Sequence, residues 1–151
     1  MSNHASAPPP CLDNARVIFY ALLDASVTYS GRTLLFVDGK ELGRVPRLAI
    51  CQDRRLPGVM LFHCDDEWTV LGCSGHDSVE SAKRKAKGIY LNIEDRWVDG
   101  DVTEADAERY LDELLQDYRC SSCGKRADQV DRLQTKGKSY VCDKCRLSGQ
   151  T

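Results

Sequence analysis

The chain reads as an α+β protein: a small antiparallel β-meander packed by a helix, then an acidic helix, then a short cysteine-bound module. Three observations predict this. Short β-prone runs separated by turn residues fill the first half. Two stretches with apolar residues at helical spacing follow. Four of the eight cysteines then gather in two C-x2-C pairs. A length of 151 residues suits one domain, or one domain with a small appendage. Hydrophobic residues at 42% and charged residues at 29% argue against disorder, collagen or a coiled-coil fibre.

Residues 1–14 include Ala7-Pro-Pro-Pro10 and are expected to form a flexible leader. The α+β domain is expected over residues 15–98. Arg16 to Leu23 is apolar and β-prone. Thr33 to Val37 and Lys40 to Val45 flank Asp38-Gly39, a hairpin signal. Leu48 to Cys51 is another short strand. Val59 to Cys64 and Trp68 to Cys73 flank the acidic tip Asp65-Asp66-Glu67, and Ser74 to Asp77 reads as a turn.

Asp77 with Glu80 then forms a capping-box pattern. Val79, Ala82, Ala86, Ile89, Tyr90 and Ile93 follow at helical spacing, and Trp97 is expected to pack near the helix end. Asp99-Gly100-Asp101 is a break. Residues 99–118 are read as an acidic helical connector, with the helix opening at Thr103 and running to about Tyr118.

The net charge of −2 hides a segregation. Residues 1–98 balance, residues 99–119 carry −6, and residues 120–151 carry +4. The longest apolar run, Val17 to Leu23, is seven residues, far short of the roughly 18–20 of a membrane span. Met1 to Pro10 has no apolar signal-peptide core, so a cytoplasmic protein is expected.

Cys120 and Cys123 form one C-x2-C pair, and Cys142 and Cys145 form the other after 18 intervening residues. In a reducing compartment this spacing reads as a metal site rather than as disulfides. Each pair can place two sulfurs on one side of a tight turn. Two such turns supply four thiolates about 2.3 Å from one Zn2+, a closed set that is structural rather than hydrolytic. Such a cluster would lower the +4 of residues 120–151 to +2.

The stretch Cys120-Ser-Ser-Cys123-Gly-Lys125, with Val130, Leu133 and Tyr140-Val-Cys142-Asp-Lys-Cys145, resembles the ClpX-type C4 zinc-binding domain. The resemblance covers about residues 118–147 of a module placed at 119–151. It implies a treble-clef-like C4 zinc module, one structural zinc on the four cysteines, and a bacterial protein. In the family the module dimerises and recognises adaptors and substrate proteins. The expected partner is therefore a protein or a second copy of this chain, met through Val130, Leu133, Tyr140 and flanking lysines. One departure is local: the family usually has Gly-Pro in the middle turn, and Gly137 stands where proline would fall. The family's ATPase is absent, since no G-x4-G-K-[ST] loop occurs.

The alternative is a nucleic-acid-binding protein using the basic helix segment Lys83 to Lys87 with Lys136, Lys138, Lys144 and Arg146. An enzyme is not expected. His63-Cys64 and Cys73 with His76 match no metal spacing, and the strand cysteines read as small hydrophobes. No nucleophile–base–orienter set stands out.

Overall fold

A computed structural model describes residues 7–31, 36–54 and 56–147. It divides into two compact units, residues 1–104 and 105–151.

The first unit is mixed α and β around a curled antiparallel sheet. Its strands are β1 (Cys11–Leu12), β2 (Ala15–Leu22), β3 (Thr28–Tyr29), β4 (Phe36–Val37), β5 (Lys40–Glu41), β6 (Arg47–Asp53), β7 (Val59–Cys64) and β8 (Val70–His76). Helix α1 (Val79–Ile89), β9 (Tyr90–Leu91) and β10 (Trp97–Asp99) complete it. The main sheet runs β1-β2-β6-β7-β8, and β10 also pairs with β2. Cys11 and Leu12 are buried and hydrogen-bonded into this sheet, so they belong to the folded unit rather than to a leader.

The sheet separates two apolar clusters. On one side Leu48, Ile50, Val59 and Leu61 meet Ala82, Ala86 and Ile89 of α1. This is the stripe the helical spacing identifies. On the other side Val17, Ala49, Cys51, Phe62, Cys64 and Trp68 are buried together. Alternation along β6 and β7 sends successive side chains to opposite faces, and both faces are apolar.

Several local expectations shift. Ser74 to His76 is not a turn but the end of β8, with Leu61 paired to Ser74 and Val59 to His76. Strand pairing overrides the Gly/Ser composition. The helix cap is Ser78, whose hydroxyl accepts from the Ser81 N–H at 3.1 Å, not Asp77. The helix stops at Ile89 because Tyr90 and Leu91 pair with β3, although Tyr90 and Ile93 stay buried. The Tyr90 hydroxyl accepts from the Val45 N–H at 2.9 Å. Trp97 lies on β10 opposite Ala21.

Asp38-Gly39 is the expected turn, with φ of 54° and 79° between Val37 and Lys40. Thr33 to Leu35, the start of that hairpin, lie outside the described residues. So does residues 1–6 of the expected leader.

The second unit holds α2 (Glu104–Leu114), β11 (Leu133–Lys136), β12 (Ser139–Cys142) and α3 (Asp143–Leu147), with α2 entering from the unit boundary. The acidic helix thus belongs to the compact unit of the cysteine module and is shorter than residues 103–118. It gives way after Leu114 because Arg119 already bridges to Arg126, and Tyr118 accepts from the Ala127 N–H at 2.9 Å. No helix among the described residues is long and apolar enough to cross a membrane.

Candidate metal centre

The first cysteine pair sits on a tight turn. Gly124 donates its N–H to the Cys120 carbonyl at 2.9 Å, and the Cys120 N–H returns to the Lys125 carbonyl at 2.9 Å. Gly124 has φ +79°, a left-handed conformation that favours glycine. The second pair uses a strand end and a helix start: Cys142 closes β12 and Cys145 lies in α3. The Ser121 N–H bonds the Tyr140 carbonyl at 2.8 Å and Cys120 bridges to Tyr140, which brings the two pairs together.

The result is four ligand sulfurs, from Cys120, Cys123, Cys142 and Cys145, within 4.8 Å of one another. Cys123 Sγ and Cys142 Sγ are 3.8 Å apart. A tetrahedron of sulfurs about 2.3 Å from a central ion has edges of about 3.8 Å, whereas a disulfide requires about 2.05 Å. None of the eight cysteines is joined in a disulfide. Three of the four clustered sulfurs belong to buried residues and Cys123 is exposed.

The electrostatics fit a cation. Burial opposes ionisation of Cys120, but N–H groups of Cys142, Cys123 and Ser122 aimed at its sulfur outweigh burial and hold the thiol down to about 6. The Cys142 N–H lies 3.3 Å from that sulfur. Cys145 is pushed up to about 12, chiefly by its hydrogen bond with Cys142, then by burial and the other two sulfurs. Four sulfurs this close cannot all ionise unaided. A divalent ion at their centre supplies the missing positive charge, so the four cysteines are placed to bind one metal ion.

Around the cluster, Val141 is buried and Val130 and Leu133 pack against it. Val130 and Leu133 therefore serve mainly the module's own small core. Tyr140 is half-buried and lies against Tyr118 in a tilted ring pair, with centroids 5.6 Å apart and the planes at 52°. The larger exposed apolar side chains of this unit are Leu114, Tyr118 and Leu147. The middle turn holds Gly137 at φ +61° in a two-residue loop between Lys136 and Ser139. Proline, fixed near −65°, cannot adopt that angle. The Lys136 side chain lies outside the described residues.

The pairs in the first unit do not converge. Among the described residues the four C-terminal cysteines are the one group of three or more His, Cys, Asp or Glu placed to hold a metal. Burial raises Cys51 well above its usual range and Cys64 to about 12, the opposite of an activated nucleophile. Cys73 is exposed on β8, and His76 bonds the Ser74 hydroxyl at 2.8 Å. Asp65 uses one carboxylate oxygen to accept from the Glu67 and Thr69 N–H groups, at 2.8 and 2.9 Å, so it holds the hairpin tip.

The basic helix segment is partly engaged. Lys83 Nζ lies 3.8 Å from the Phe19 ring centre and Lys87 pairs with Glu94 at 3.2 Å.

Arg126 is a buried cation that no sequence pattern marks. Its side chain is 3% exposed, with Nε and Nη2 on the two carboxylate oxygens of Asp128 at 2.9 and 3.1 Å. Its Nη1 reaches Glu108 Oε1 at 2.8 Å. Nothing local distinguishes it from the other Lys and Arg residues, since Glu108 lies 18 residues away.

No protein-family model, curated protein or solved structure matches the chain. The ClpX-type resemblance rests on residues 118–147 themselves.

Proposed function

We propose that the second unit is a structural zinc module of the ClpX C4 type and that the chain acts through it as a non-enzymatic protein-interaction module. The convergence of four sulfurs within 4.8 Å carries this reading. A bound zinc supplies a cross-link between the two cysteine pairs and no reaction centre, because four thiolates leave it no open position. The turn at Cys120–Cys123, the β11–β12 hairpin and Cys145 on α3 support a treble-clef-like arrangement. Zinc is favoured over other divalent ions by an all-thiolate donor set.

The interaction role draws on exposed Tyr118 and Leu147, with half-buried Tyr140 beside the former, rather than on Val130 and Leu133. The partner is a protein or a second copy of the chain. Residues 105–151 carry nine Lys and Arg against eight Asp and Glu. With four thiolates and a divalent ion the unit falls to −1, which weighs against nucleic acid as the partner.

Zinc content and sedimentation of the full chain and its Cys120→Ser variant test the reading. One zinc per chain and metal-dependent self-association or partner capture are expected, both lost in the variant. A zinc-loaded chain that sediments as a monomer and captures the same proteins as the variant would contradict the interaction role.

A further inference from the structure

We propose that Arg126 couples metal binding to the attachment of helix α2, so that losing the ion releases this helix from the cysteine module. The proposal rests on the metal reading above and deepens it. Residues 120–145 already supply a closed set of ligands, and α2 precedes all of them in the chain.

The connection runs through the first cysteine turn. Arg119 and Arg126 face each other across it as a bridged pair. Arg119 Nη1 donates to the Gly124 carbonyl within the turn at 3.0 Å, while its Nη2 pairs with Asp112 of α2. Arg126 reaches the same helix with greater burial. Its Nη1 contacts Glu108 Oε1 at 2.8 Å and the Glu108 carbonyl at 3.3 Å, with Asp112 3.7 Å away. Asp128, itself 8% exposed, grips the rest of the guanidinium and fixes its direction.

A buried guanidinium keeps this geometry only while its partners stay in place, because an uncompensated buried charge is strongly unfavourable. The turn that aims it is fixed at both ends by cysteines of the metal set. Without the ion the four sulfurs lose their reason to converge, the turn opens, and Arg126 moves to water. Helix α2 then loses its charged contacts with the first cysteine turn and is left with the burial of Ala107 and Leu111. At 11 residues it is below the roughly 12–15 at which isolated helices become even marginal in water. It should fray.

Hydrogen exchange of the full chain, with one equivalent of zinc and again in chelator, tests this. Zinc removal is expected to speed exchange in residues 105–114 and 120–145 together by about tenfold or more, while β6 and β7 keep their protection. If the cysteine turns open and residues 105–114 do not change, the coupling is wrong and the metal reading stands. If no stoichiometric metal is found and nothing changes on chelation, the metal reading fails and takes the coupling with it.

Arg126→Gln with zinc present should retain one metal per chain yet speed exchange in residues 105–114. Unchanged exchange there would overturn the proposal. Should that variant fail to hold zinc, Glu108→Gln removes one exposed partner only. It should keep the metal and speed exchange in α2 by roughly threefold; unchanged exchange would again count against the clamp.

Discussion

In the first unit, Leu48, Ile50, Leu61, Ala82, Ala86, Ile89, Tyr90 and Ile93 are all buried in one apolar cluster between sheet and helix. In the second, the buried cluster is Cys120, Val141, Cys142 and Cys145, with Val130 and Leu133 against it. The first is closed by hydrophobic burial over a wide surface. This cluster offers too few apolar side chains for that: three of its four buried members are thiols, and α2 adds only Ala107 and Leu111 to the buried apolar residues of the unit. A region of this size with such a core depends on a cross-link, which the metal ion proposed for the four cysteines would supply. The contrast teaches that one chain can stabilise adjacent regions by independent means, so that each should fail under a different stress.

The largest expected effect is on the second unit. Strong chelator, or Cys120→Ser, should remove its metal and unfold it, since structural zinc contributes on the order of 10–16 kcal/mol in small zinc peptides. Both tryptophans, Trp68 and Trp97, lie in the first unit. Their fluorescence should hardly change, while protection from exchange across residues 120–145 should collapse. Loss of the tryptophan signal on chelation would break the comparison.

The converse experiment is Leu61→Ala. Leu61 is fully buried, and the truncation should cost the first unit about 2–5 kcal/mol, read by urea unfolding through tryptophan fluorescence. Zinc content should stay at one per chain.

Acid should also separate the units. Burial, helped by the charges of Lys85 and His76, lowers His63 to about 4 from its ordinary 6.5. The unfolded chain therefore binds the proton first. His63 leaves the first unit at full stability above about pH 6.5, and stability is lost as pH falls from there toward 4, by up to roughly 3 kcal/mol. His63→Gln should flatten this slope; an unchanged slope would mean that other groups carry it.

The smallest effect concerns the middle turn. Gly137→Ala places a side chain at φ +61° and should cost about 1 kcal/mol. It should lower the thermal midpoint of the zinc-loaded second unit slightly without changing its metal content.

The convergence of the four C-terminal cysteines was legible in the sequence because ligand type and spacing are local properties that coordination geometry demands. The paired strands β6 and β7 and the stripe on α1 were legible for a similar reason, as burial imposes a period on the residues. What the sequence hid depended on distant partners. Ser74 to His76 looks like a turn until β7 pairs with it. Tyr90 continues a helical pattern until β3 captures it. The last turn of the expected acidic helix is surrendered to the cysteine turn that follows. Arg126 matters because of Glu108 on another element, and no pattern around it announces that contact. The exposure of Tyr118 and Leu147, against the inward packing of Val130 and Leu133, likewise follows only from the tertiary arrangement.

X-ray absorption at the zinc edge, on protein purified without added metal and then given one equivalent, tests the central claim most directly. The account predicts one tightly held zinc per chain, surrounded by four sulfur atoms at about 2.3 Å. Failure to retain stoichiometric zinc, or a shell containing nitrogen or oxygen in place of sulfur, would contradict it.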